Sequence, residues 1–133
     1  MRLICILAGT VAMVAGILFA QSDPEYQSWM KTVAATNQSL QKNIAAKNAS
    51  GVSEDATKLA NTFKEVEGFW QKRNTTDAVN IAKQAQTAAA AVSKDATSGN
   101  MEQAATDAKT LAAACGECHM AHREKADSGF KIK

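Results

Sequence analysis

The chain has 133 residues, with 15 lysines and arginines against 13 acidic residues, a net charge of +2, and only 5% aromatic residues. So even a balance leaves no electrostatic footprint for a nucleic acid, and the length sets one domain with or without a leader. Only Cys115 and Cys118 lie beyond the first few residues; separated by two residues, they cannot staple a fold by closing a long loop.

The opening, MRLICILAGTVAMVAGILFAQSDPE, carries Arg2 and then no charge from Leu3 to Phe19. A short basic start, an apolar stretch and a small residue at the polar boundary describe an export signal over 1–20, cut between Ala20 and Gln21. An uncleaved membrane anchor is the competing reading of the same stretch. Under both, the domain over 21–133 is expected outside the cytoplasm, in the periplasm.

Four helices are expected beyond the leader. The first opens at SDPE, where Ser22 and Glu25 suit a capping box and Pro24 suits the first turn. Its stripe is Tyr26, Met30, Val33, Leu40 and Ile44, and it stops before Ser50-Gly51. Ser53 caps the second, with Glu54 and Asp55 in the first turn and a stripe of Ala56, Leu59, Phe63, Val66 and Trp70. Thr75-Thr76-Asp77 starts the third, a narrow stripe of Ala78, Ile81, Ala85, Ala88 and Val92 that Ser98-Gly99 ends. Asn100 caps the fourth, whose stripe runs through Leu111 to Cys115, Cys118 and His122 before a tail, DSGFKIK, expected to fray. Four such helices with short connections predict an all-α, antiparallel up-down-up-down bundle. Alanine favours the helices but buries little area, so this core is thin unless something else fills it.

The fourth helix ends in AAACGECHMAHREK. Cys-x-x-Cys-His is the attachment sequence of c-type haem: Cys115 and Cys118 would form two thioethers to one porphyrin, and His119 would supply the axial nitrogen. A single haem c also brings the apolar faces that the core lacks. Three other uses of these residues compete. A redox dithiol wants a strand-helix-strand setting, and no segment has the period of a strand. A disulfide across two residues holds nothing. Zinc on Cys115, Cys118, His119 and His122 would take every ligand from one helical face, a poor start for a tetrahedron. No paired carboxylates, nucleophile–base pair or phosphate-cradling loop stands out, so an enzyme is not expected.

On these residues the chain resembles the class II c-type cytochromes, the family of cytochrome c′ and its methionine-ligated low-spin relatives. CGECHMAHR puts Arg123 four residues after His119, where the family usually has a basic residue. YQSWMK puts Met30 at the family's distal position. The sequence departs from the pattern at His122, where an aromatic is usual, and at Gln27, where many members have an arginine that reaches a propionate. The resemblance implies a monohaem electron carrier whose partners are periplasmic or membrane-bound redox proteins, with Met30 as sixth ligand and Arg123 on a propionate. Its alternative is a five-coordinate protein that binds diatomic gases such as nitric oxide. Bundle geometry agrees on Met30: about 9 Å from Pro24, it should stand level with His119, about 10 Å before a helix end near Ala126. Trp29, Phe69 and Trp70, expected at the same end, are candidates to shield the haem. An apolar helix face could support a homodimer.

Overall fold

The computed structural model describes residues 23–127 and 129–133. The leader expected over 1–20, its expected cut site and Ser22 of the expected capping box lie outside them. Four helices follow in order, α1 Asp23–Ala45, α2 Ala49–Lys72, α3 Thr76–Thr97 and α4 Met101–His122, and then two short strands, β1 Arg123–Ala126 and β2 Gly129–Ile132. Consecutive helices pack against each other as a four-helix bundle, whereas α1 and α4 barely touch. Among the described residues no helix is long and apolar enough to cross a membrane.

The three interhelical turns share one construction. Each has a single left-handed residue, Lys47 (φ 54°), Asn74 (φ 55°) or Gly99 (φ 79°). Around each, two backbone bonds close the preceding helix. In the first turn, Lys47 N–H reaches the Ile44 carbonyl and Asn48 N–H the Asn43 carbonyl, and the same pair recurs around Asn74 and Gly99. This is the Schellman arrangement, which satisfies carbonyls that a helix end would otherwise leave orphaned. The next residue in each turn, Asn48, Thr75 or Asn100, is already the N-cap of the following helix. Asn48 and Asn100 accept from Gly51 N–H and Gln103 N–H, both at 3.2 Å. Chain reversal is thus completed within three residues, which makes neighbouring helices antiparallel.

The first of these turns corrects the expected boundary. The break falls at Ala46–Asn48, and Ser50-Gly51 belongs to the first turn of α2. Ser53 does not cap: it lies inside α2, its hydroxyl 2.9 Å from that of Ser93 on α3. Gly51 serves close approach, since a Cβ there would stand 2.6 Å from the Asn43 side chain. Asn43 itself donates to Asp55 Oδ2 at 2.8 Å and so ties α1 to α2.

Phe69, Leu40, Leu59, Leu111, Val52 and Val92 form the fully buried centre, set among the alanines of α3 and α4. Tyr26, Phe69 and Trp70 gather at one end, with Tyr26 and Phe69 ring centroids 4.5 Å apart. Beyond α4 the sequence reading needs a second correction. The helix stops at His122, not near Ala126, and Gly129–Ile132 of the tail expected to fray forms a strand. Arg123 is already extended (φ −119°, ψ 135°), and β1 pairs antiparallel with β2 in the register Arg123↔Ile132 to Ala126↔Gly129.

Lysine in the left-handed region costs roughly 1–2 kcal/mol that glycine avoids. Lys47→Gly should therefore raise stability by about 1 kcal/mol in urea unfolding, and Gly99→Ala should lower it by about as much. If position 47 were helical, Lys47→Gly would instead be destabilising by about 1 kcal/mol.

Candidate functional site

Helical spacing puts Cys115, Cys118, His119 and His122 on one side of α4, and that side faces the sparse seam with α1. Across the seam, α1 presents Tyr26, Met30 and Val33 at the same spacing. Together they line a groove of about 330 Å³, flanked by Gln27, Lys31 and Arg123 and closed at one side by Phe130, Lys131 and Ile132 of β2. A smaller void of about 20 Å³ continues inward past Tyr26, Met30, Cys115, Cys118 and His119 to Phe63 and Val66 of α2 and Ile81 of α3. The groove is mainly apolar and its sulfur and imidazole groups converge from two helices.

Burial governs the chemistry of those groups. Both thiols are free and half-buried. Burial raises the Cys115 thiol, and burial together with neighbouring Cys115 and Asp77 pushes Cys118 up to about 11. Burial, and then the Arg123 guanidinium, lowers His119, so its imidazole is neutral at pH 7 with a nitrogen lone pair available. The Tyr26 hydroxyl is raised, by burial and then by Cys118.

His122 is engaged elsewhere. Its Nε2 lies 2.8 Å from Asp77 Oδ2 at the start of α3, and its ring lies 4.9 Å from that of Trp70. Burial acts to raise Asp77, but the hydrogen bonds from His122 and from the Ala78 backbone outweigh it and hold the carboxyl below its ordinary value. Among the described residues no group of three or more histidine, cysteine and acidic side chains converges as a metal cage. Among the described residues the buried Trp70 indole N–H has no partner in good hydrogen-bond geometry.

Of the residues singled out from the sequence, Met30, Cys115, Cys118, His119 and Arg123 line the groove. Trp29, Phe69 and Trp70 do not. Phe69 and Trp70 are buried behind Tyr26, and Trp29 faces a separate depression on the α1–α2 side with Thr32, Ser53 and Thr57. The sequence reading missed β2 altogether. Its signal was present: Asp127-Ser128-Gly129 is a turn composition, and Phe130 and Ile132 alternate with lysines. Arg123 stacks its guanidinium 4.0 Å from the Phe130 ring centre. Gln27 donates from Nε2 to the Phe130 carbonyl at 2.9 Å.

Comparison of the chain with protein-family models, curated proteins and solved structures finds no match.

The raised thiols predict a specific reactivity. Only the thiolate is alkylated, so a pKa above the usual value means less thiolate at neutral pH and a rate that climbs as pH rises. In the folded chain with both thiols free, iodoacetamide labelling of Cys118 should keep accelerating through pH 9 and level off only near its pKa of about 11. A plateau reached below pH 8 would mean an activated thiol.

Proposed function

We propose that the chain is an exported monohaem c-type cytochrome that carries electrons between periplasmic or membrane-bound redox proteins. One observation carries this: Cys115, Cys118 and His119 share a single apolar groove with Met30, the sulfur of another helix. The residues fit the group. Two protonated thiols are what thioether attachment consumes, because S–H adds across a double bond with no leaving group and no oxidant. A neutral His119 offers a lone pair on one side, and Met30 offers a thioether on the other. Tyr26, Val33, Phe63, Val66 and Ile81 supply apolar contact, and Lys31, Arg123 and Lys131 stand at the groove, where they suit carboxylates.

Haem, when bound, supplies a one-electron change at iron. What the chain contributes is the ligand set, a low dielectric and exclusion of water, which are the means by which a protein tunes such a centre. A redox dithiol is disfavoured by the same burial, since those motifs work through a lowered thiol pKa.

Attachment is tested first. Denaturing electrophoresis of protein matured in the export compartment should leave haem on the polypeptide, with intact mass exceeding the chain by one haem, and Cys115→Ala/Cys118→Ala should abolish both. A folded, colourless protein holding one zinc would overturn the assignment. Met30 is tested next. Wild type should be low-spin in both oxidation states, and Met30→Ala should become high-spin, lose potential and bind carbon monoxide faster. A wild type already high-spin, with Met30→Ala spectrally unchanged, would make Met30 a packing residue and the protein a five-coordinate gas binder.

A further inference from the structure

We propose that the hairpin formed by β1 and β2 is a tethered cover that gates passage between solvent and the Cys115–Cys118–His119 groove. The inference rests on the cytochrome assignment only for what the groove holds, not for the gating itself. Phe130, Lys131 and Ile132 form one wall of the groove, so whatever enters from that side must pass the hairpin. A lone two-stranded hairpin is marginal in water, and most of this one is exposed. It therefore stays in place through its anchors, and those anchors are few. Gln27 Nε2 on α1 donates to the Phe130 carbonyl at 2.9 Å. Lys133 N–H donates to the His122 carbonyl at 3.0 Å, and Lys133 Nζ donates to the Met120 carbonyl at 3.0 Å. Ile132 packs on the core, and Arg123 lies over Phe130.

The anchors are divided between both walls of the seam: Gln27 belongs to α1, whereas His122 and Met120 belong to α4. The hairpin thus bridges the two helices that otherwise barely touch. Its joint is short, because Arg123 leaves α4 directly in extended conformation. Lifting it breaks a few exposed hydrogen bonds and one apolar contact while the four helices keep theirs. That places it among the low-stability units that open locally without global unfolding. A planar cofactor broader than the closed groove could enter the seam from this side while the cover is raised, and small solutes would be slowed once it is down.

The test uses the full-length chain with Gln27→Ala, Lys133→Ala and both together. Lys133 does not line the groove, so a change caused by Lys133→Ala cannot come from a reshaped wall. Hydrogen exchange should show the hairpin amides of the double variant exchanging about tenfold faster, with helical amides unaltered. Access is read in parallel, as the rate of imidazole uptake by haem-loaded protein and as iodoacetamide labelling of Cys115 and Cys118 in chain made without haem. Both should rise about threefold or more, in the order single then double variant. Faster hairpin exchange with unchanged access would overturn the cover, and so would unchanged exchange and access together. Absence of haem would overturn the cytochrome assignment instead, and the labelling rates alone would then decide the cover.

Discussion

Alanine on α3 and α4 sets where this bundle closes. Ala78, Ala82, Ala85, Ala89, Ala104 and Ala108 are all buried, and a methyl side chain lets helix axes approach closely. The fourth helix is therefore drawn to α3, and α3 to α2, while α1 packs mainly on α2. The fourth side of the bundle is left as a seam. The larger side chains, Tyr26, Met30, Phe63, Phe69 and Trp70, collect at the end where that seam is widest in chemistry, next to two thiols and an imidazole.

Dielectric follows from this packing. A groove walled by aliphatic and aromatic groups penalises charge, so the thiols stay protonated and His119 stays neutral. The same penalty explains why charged groups stand where water reaches them: Lys31 and Arg123 at the groove, and Asp77, hydrogen-bonded to His122, at the exposed start of α3. His122 occupies a position beside Trp70 where an aromatic ring would also pack, and its ring does that packing while its nitrogen serves Asp77.

Much of the bundle was legible in the sequence because its signals are local. Thr75, Ser98-Gly99 and Asn100 mark real ends, and the stripes of α2 and α3 are buried as their spacing requires. The α1–α2 turn was illegible because its left-handed residue is lysine, which no propensity favours there, whereas Ser50-Gly51 looks like a terminator and is instead a close approach to Asn43. Phe69 and Trp70 were placed correctly at one end of the molecule, but which way a ring faces depends on neighbours from three helices. The hairpin was masked by the helical pattern before it. Its anchor on α1 is Gln27, 103 residues earlier in the chain than Phe130, and no local window contains both partners.

The turn at Gly99-Asn100 fixes more than direction. It sets the angular phase of α4, and every residue between Asn100 and Cys115 advances that phase by about 100°. One residue inserted or removed there would rotate the thiols and His119 out of the seam with all their chemistry intact. A change of seven residues would nearly restore the phase, within about 20°, but carry the motif about 10 Å along the axis and away from Met30. The length of this alanine-rich segment is therefore as strict a requirement as the identity of the residues that follow it. Its exposed positions can drift in composition while Ala104, Ala108 and Leu111 stay packed; its count cannot.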